Sequence, residues 1–423
     1  MTRWFPVAAL CCILTGCAST PKPKVQPVLK TSGWRSEDRS FQDCMAGPRT
    51  YYDQGYLTGC SRHDYDLDWD VDVDDWAYWD ALDREATADN PENWAVLFNK
   101  NDDESREWAA WYMARRGIPL ENALGLDVNT TERVHVDYYR ANIHNAVWVF
   151  LNDHRNIMGI IVGFRVPGTF YTTAAPAAPS HHGGGGYSIA NALANLAVIS
   201  GPIQTATGAW RIFPTTPNPH YGEAIPNRRT MGAGIYMTAR VDGPTLEAVK
   251  RLSPLTAEIT RSGYFYHDAQ DSSFGEWTDL IEAQAALPAL PWRAFDSDSE
   301  GTPDAVFRAS WHRITGWDQR IWDQTGPRFL AIDNNSFGAT TVRSTTAHGS
   351  RFVPVALFQG GYLAAIGATA EPLAGTLPDV TVLLDHLGRG ERLGVAVFMA
   401  NPHFNWMWEL CGDPLLRLTV RLP

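Results

Sequence analysis

The chain has 423 residues, of which 44% are hydrophobic, and a formal net charge of -12. A chain of this length can form two or three domains with their own cores. The acidic balance and the lack of a basic patch or run argue against nucleic acid as a partner.

The first predicted element is a lipoprotein signal peptide over residues 1–17. Arg3 precedes a short apolar run that ends in Leu14-Thr15-Gly16-Cys17. This is the pattern of a lipobox, where a bacterial signal peptide is cleaved and the new N-terminal cysteine is lipidated. The run is too short to span a bilayer as a helix. We therefore expect export and membrane attachment through lipidated Cys17. The alternative is an ordinary secretory leader that contains a cysteine.

A tether is predicted directly after the lipobox. Residues 18–32 are rich in proline and lysine, a composition that favours an extended segment. By similarity to known bacterial lipoproteins, Ala18 in place of an aspartate favours sorting to the outer membrane. We thus predict an outer-membrane lipoprotein, and leave open whether it faces the periplasm or the cell surface.

Three cysteines lie beyond the leader, at positions 44, 60 and 411. Outside the cytoplasm Cys44 and Cys60 can form a disulfide, which would stabilise the fold by about 3 kcal/mol. Cys411 is then left over. A buried core thiol is a commoner role for such a residue than a reactive one.

An acidic ladder marks a small module predicted over residues 33–86. Its aspartates fit positions one, three, five, seven, nine and twelve of a calcium loop, whose oxygens surround one Ca2+ ion: Asp64, Asp66, Asp68, Asp70, Asp72 and Asp75. Trp76, Trp79 and Leu82 follow at helical spacing, as an exit helix would. Trp69 stands where such loops need glycine, which weakens the calcium prediction. The alternative is a solvated acidic run.

The same module resembles paired dockerin-type EF-hand repeats. The resemblance rests on residues 41–48, on Gly59-Cys60 and on the loop from Asp64 to Trp76. It implies a small helical module with a possible protein partner, because dockerins bind cohesin modules. The first repeat, at residues 32–43, lacks the acidic ladder and is not expected to bind metal. A structural spacer is an equal alternative.

Residues 93–423 are predicted to form one large α/β domain. Apolar runs of strand length alternate there with amphipathic stretches. A strand, a helix, a strand, a helix and a strand are predicted at 94–99, 105–116, 123–126, 138–152 and 157–164. This order favours parallel pairing, and hence a largely parallel sheet flanked by helices.

Four motifs in this domain resemble an uncharacterised family of exported bacterial proteins, and through it, distantly, gingipain-type cysteine peptidases. The motifs are residues 116–119, 235–245, 361–372 and 412–418. The resemblance implies a caspase-like fold. It also implies a catalytic cysteine and histidine at neighbouring strand ends, where a thiolate attacks the peptide carbonyl.

The residues at the expected catalytic positions depart from that pattern. Ser344 or Thr345 stands where the cysteine should be, and Trp311 followed by His312 stands where the histidine should be. A hydroxyl needs a well-placed base, which His312 or His348 could supply. Both histidines could equally be ordinary hydrogen-bonded loop residues, and we favour that interpretation.

Two further residues, Arg240 and Asp242, follow a predicted strand. They either line a cleft or form an ion pair that holds a loop. Two hypotheses for function therefore stand. The favoured one is a lipid-anchored, non-catalytic peptidase relative that serves binding or assembly at the cell envelope. The alternative is an active peptidase with a Ser/Thr and His pair.

Overall fold

The computed structural model divides the chain into two compact units, Met1–Asp80 and Ala81–Pro423. The described residues of the first unit are few and include the helix Val73–Asp80. In all, the structure describes residues 86–171, 186–196, 216–232, 234–262, 264–268, 292–295, 305–311, 328–334, 337–344, 352–370, 378–404 and 407–421, with shorter pieces at 44, 63, 71, 73–82, 203–204, 210–211 and 376.

A ten-stranded sheet forms the centre of the second unit. Its strands in chain order are β1 (Trp94–Asn99), β2 (Ala123–Leu126), β3 (Gly159–Val162), β4 (Met237–Arg240), β5 (Tyr264–Asp268), β6 (Trp292–Phe295), β7 (Ala305–Trp311), β8 (Arg328–Asn334), β9 (Tyr362–Ala368) and β10 (Trp408–Gly412).

The spatial order of the strands is β6-β5-β7-β8-β9-β10-β4-β3-β1-β2. Pairing is parallel from β6 to β9 and again from β4 to β2. The last strand, β10, joins these two halves. It pairs antiparallel with β9, and it meets β4 through Arg240 and Cys411. The predicted α/β class with a largely parallel sheet is confirmed.

Helices flank the sheet: Asp103–Arg116, Val136–Tyr139, Asn145–Asp153, Ile189–Leu193, Arg228–Met231, Leu246–Lys250, Phe352–Phe358, Val380–Gly388 and Leu393–Ala400. Local sequence explains the bounds of the first. Asp102 caps it by accepting a hydrogen bond from the Ser105 backbone, and Gly117 ends it in a left-handed conformation with φ 70°. No helix in the described ranges is long and apolar enough to cross a membrane.

Short elements complete the unit. A π-helical turn, Arg140–His144, joins two helices, and single 3-10 turns lie at Pro91–Asn93 and Leu120–Asn122. Small sheets pair Arg133–His135 with Thr169–Tyr171 and Tyr187–Ser188, Glu258–Ser262 with Arg417–Arg421, Thr216–Pro217 with His403–Phe404, and Ile203–Gln204 with Trp210–Arg211.

Both faces of the sheet are buried, because neighbouring residues of one strand belong to different apolar clusters. In β1, Ala95 and Leu97 pack into one cluster, while Trp94 and Val96 pack into another. This explains why β1 is continuously apolar rather than alternating, as is usual for a parallel strand covered on both sides.

A substitution at Gly159 can measure how tightly this core is packed. It pairs with Trp94 across β3 and β1, and a Cβ at position 159 would lie 2.2 Å from the Trp94 ring. We expect Gly159→Ala to lower the free energy of unfolding by about 1–3 kcal/mol, because the indole must move within a filled core. Urea unfolding of both proteins measures the difference.

The matched control is Gly388→Ala, at the exposed end of a helix, where a Cβ would have no atom within 4 Å. This change should leave stability unchanged or raise it by about 0.5–1 kcal/mol. Equal effects of the two substitutions would contradict the described packing around Trp94.

Candidate functional site

A group of five charged side chains lies together inside the second unit. One is the last residue of β4 and a second lies two residues after it. The third comes from β10, the fourth directly precedes the short strand Arg133–His135, and the fifth follows β8 in the chain. We call this group the Arg240 cluster. Its members are Arg240, Asp242, Glu409, Glu132 and Arg343.

Arg240 is at the centre and is fully buried. Its Nη2 lies 2.6 Å from Glu132 Oε1 and 2.8 Å from Asp242 Oδ2, and its Nη1 lies 3.1 Å from Glu409 Oε1. Burial alone would lower the pKa of Arg240, but the three carboxylates raise that pKa well above its usual value. The guanidinium therefore stays charged, and its role is to neutralise buried carboxylates.

Space for this guanidinium comes from Gly168. A Cβ at that position would lie 2.0 Å from Arg240 Cζ. Any side chain at residue 168 would therefore displace the central charge of the cluster.

Asp242 joins Arg240 to Arg343. Its Oδ2 accepts from Arg343 Nε at 2.7 Å as well as from Arg240. Burial would raise the pKa of Asp242, but Arg343 and Arg240 hold it below its ordinary value. Arg343 also donates to the carbonyl oxygens of Thr130 at 2.6 Å and Val166 at 2.7 Å. The sequence left open whether Arg240 and Asp242 line a cleft or form an ion pair that holds a loop. In the structure they form an ion pair.

Glu132 attaches the segment 337–344 to the cluster. One carboxylate oxygen accepts from Thr341 Oγ1 at 2.6 Å, and the other accepts from the Val342 backbone N–H at 2.8 Å. The segment begins at Phe337, a non-glycine residue with φ 63°. Ser344 is half-buried at its end. Ser344 directly follows Arg343, whose side chain Asp242 binds.

Glu409 and Cys411 occupy the β10 side of the cluster. Glu409 accepts from Ser188 Oγ at 2.9 Å, and the Cys411 thiol lies 3.5 Å from its other oxygen. Burial raises the pKa of Glu409, although Arg240 opposes the shift. Burial, and then the charge of Glu409, raise the pKa of the Cys411 thiol well above its usual value. Such a thiol is inert as a nucleophile, in agreement with its predicted core role.

Most of the other predicted site residues lie outside the residues that the structure describes. Thr345, His312 and His348 lie outside the described residues, so the Ser/Thr and His pair remains a prediction. The same is true of Cys17, Cys60 and five of the six calcium-loop aspartates, Asp64, Asp66, Asp68, Asp70 and Asp72. Asp75 is described, and it is fully buried within the helix Val73–Asp80. Cys44 is disulfide-bonded.

Three members of the cluster, Glu132, Glu409 and Arg343, were not predicted from the sequence. One signal could have found Glu409, because it is a charged residue within the otherwise apolar run of β10. Glu132 lies 108 positions from Arg240 in the chain and gives no such signal. What the cluster can do chemically is hold loops in place: each of its carboxylates faces an arginine.

Comparisons with known proteins give a distant likeness in structure. No family model matches the chain, and no curated protein matches it. A solved structure described as a protease covers 78% of this chain and 78% of its own, with 10% identity and a TM-score of 0.45. The Arg-specific cysteine proteinase gingipain R covers 77% and 78%, with 11% identity and a TM-score of 0.40.

A complex of the pro- and mature domains of RgpB from Porphyromonas gingivalis covers 77% of this chain and 79% of its own, at 11% identity and a TM-score of 0.39. The large unit of this chain has a mostly parallel α/β sheet flanked by helices, and its likeness to these three structures is distant.

Proposed function

We propose that the protein is an exported lipoprotein, anchored to the outer membrane through Cys17, whose α/β domain binds a ligand or an assembly partner without cleaving it. The observation that supports this most is the closed state of the Arg240 cluster. Its arginines and carboxylates pair with one another in the interior, and the thiol beside them is inert. We infer that these groups stabilise the fold around them and do not carry out a reaction.

We further propose that the module at residues 33–86 presents the α/β domain to its partner. Its acidic ladder would hold one Ca2+ ion through carboxylate oxygens, and the ion would order the loop. The dockerin-type resemblance supports a protein partner for this module.

An active peptidase is the second candidate, and one specific observation favours it. The segment that ends at Ser344 is fixed by Asp242 through Arg343 and by Glu132 through Thr341 and Val342. Because the residues directly before Ser344 are held by these contacts, a nucleophile there would have a defined position, which catalysis requires. In this alternative Ser344 or Thr345 attacks the carbonyl, and His312 or His348 takes the proton.

A peptidase screen with the full-length protein separates the two candidates. We expect no turnover of a mixed peptide library, and no labelling of the hydroxyl nucleophile by a fluorophosphonate probe. Should turnover occur, it must disappear in Ser344→Ala or Thr345→Ala and in His348→Ala or His312→Ala if the peptidase candidate is right. Turnover of this kind would overturn the binding proposal.

Anchoring is tested separately by fatty-acid labelling in cells. The wild-type chain should take up labelled palmitate and fractionate with the outer membrane, whereas Cys17→Ser should do neither. A labelled Cys17→Ser variant would reject the anchor. Calorimetric titration of the full chain with Ca2+ should show binding that Asp68→Asn abolishes, and an absence of heat in both proteins would reject the calcium site.

A further inference from the structure

A small cavity lies against the middle of the central sheet. It is lined by residues of β4, β9 and β10 and by residues at the C-terminal ends of the helices Ile189–Leu193 and Leu393–Ala400. The cavity measures about 30 Å³, which is room for about two groups of the size of a water molecule. It opens to solvent on one side, so a small ligand can enter it.

Thr238 shows that the cavity reaches a central strand. Its strand, β4, pairs with β3 on one side and meets β10 on the other, so it is not an edge strand. Thr238 is nevertheless half-buried, whereas the other three residues of β4 are buried. Because Thr238 lines the cavity, its exposure comes from there. Its hydroxyl makes no hydrogen bond to the residues that the structure describes, and it is therefore available to a ligand.

The other walls of the cavity suit a positively charged ligand. Three of the lining residues are aromatic, namely Phe398, Phe404 and Trp408. The rings of Phe398 and Phe404 are stacked, with their centres 5.4 Å apart. The faces of aromatic rings attract cations. The C-terminal end of the helix Leu393–Ala400 also lies here, and the carbonyl groups at such an end carry a partial negative charge.

The Arg240 cluster places a further negative charge beside the cavity. The cluster contains three carboxylates but only two arginines, so one negative charge is in excess when all of them are ionised. Glu409 is the member of the cluster that lines the cavity, and burial raises its pKa although Arg240 opposes the shift. The side chain of Glu409 is closed to solvent, so it acts on the cavity through its charge and not through contact.

We propose that this cavity binds a small primary ammonium ion of about the size of methylammonium. The ammonium group would donate a hydrogen bond to the Thr238 hydroxyl, and the methyl group would lie against the aromatic rings. The positive charge would balance the excess carboxylate of the Arg240 cluster, which a neutral molecule of the same size cannot do. The inference deepens the proposed binding function, on which it rests, by naming the chemistry of a ligand.

Saturation-transfer difference NMR on the full-length protein tests the proposal, because this method detects weakly bound small molecules. Methylammonium and methanol are the probes, at equal ionic strength, since methanol has nearly the same size but no charge. We expect transfer to the methyl group of methylammonium and none to that of methanol.

Three variants locate the binding. Glu409→Gln removes the excess charge and should weaken methylammonium binding about tenfold. Thr238→Val removes the hydroxyl at nearly constant shape and should weaken binding about threefold or more. Glu104→Gln is the matched control, because its carboxylate is 53% exposed and does not line the cavity. It should bind methylammonium like wild type.

Thermal unfolding identifies any variant that does not fold, and the comparison of the two probes on wild type needs no variant. The proposal is overturned if wild type gives no signal from methylammonium, if methanol binds equally well, or if folded Glu409→Gln and Thr238→Val both bind like wild type. None of these results alters the outcome of the peptidase screen or of the fatty-acid labelling, so failure here is distinguishable from failure of the proposed function.

Discussion

Replacing Arg240 with methionine should lower the free energy of unfolding by about 3–5 kcal/mol. The substitution leaves Asp242 and Glu409, both buried, and the largely buried Glu132 without the cation that they share. Removing one partner of a buried ion pair is far more damaging than removing the whole pair, because the remaining charges stay desolvated. Urea unfolding at pH 7, followed by tryptophan fluorescence, measures the loss.

Arg106→Met is the control for this measurement. Arg106 also pairs with an aspartate, Asp103, but its side chain is 49% exposed and that of Asp103 is 91% exposed. We expect a change of at most about 1 kcal/mol there. A loss of similar size at Arg106 and Arg240, or a loss below about 1 kcal/mol at Arg240, would show that the cluster is not the buried network described above.

Asp242→Asn should be comparably damaging, and its effect should depend on pH. The amide cannot neutralise Arg240 and Arg343, so we expect a loss of about 3–5 kcal/mol at pH 7. The pKa of Asp242 is lower in the folded protein than in the unfolded chain. Its ionised form therefore stabilises the fold above about pH 4, and this contribution disappears as the pH falls through the folded pKa. The gap between wild type and variant should shrink accordingly in urea titrations below about pH 4.

The segment 337–344 should also become more mobile in the Asp242→Asn variant. Because Arg343 loses its carboxylate partner in Asp242→Asn, amide hydrogen exchange over residues 337–344 should become faster than in wild type. Unchanged exchange together with unchanged stability would mean that Glu132 alone fixes this segment.

Glu409→Gln is the matched control within the same cluster. Burial raises the pKa of Glu409 in the folded protein, so folding disfavours its ionised form relative to the unfolded chain, although Arg240 opposes this shift. The sign is opposite to that of Asp242: stability is lost as the pH rises through the folded pKa of Glu409, and glutamine removes that loss. We expect Glu409→Gln to cost less than Asp242→Asn at pH 7, and the reverse order would contradict the opposite directions of the two pKa shifts.

Local signals were sufficient to predict much of the sheet. The strands β1 and β2 lie where their apolar runs placed them, and the helix after β1 ends at Arg116, the last residue of its predicted range. The predicted third strand, 157–164, is shorter in the structure, where it spans Gly159–Val162. Apolar run length marks the buried segment, but hydrogen bonding to the neighbours decides where a strand ends.

The site was harder to predict, because its contacts join distant parts of the chain. Arg240 and Asp242 could be recognised as a pair from their position after a strand. Their partners Glu132, Arg343 and Glu409 come from three other segments, and only the packing of those segments brings them together. The backbone conformation of Arg165 was equally unpredictable. Its φ is 65°, and nothing in the sequence Gly163-Phe164-Arg165 indicates a positive φ at the third residue.

The location of β10 has a consequence for how the molecule is made. This strand, close to residue 412, lies between β9 and β4 and joins the halves of the sheet. The middle of the sheet therefore cannot close until residues 408–412 are available to pair with both neighbouring strands. In the exported protein that we propose, the sheet can therefore be completed only after this strand has crossed the membrane.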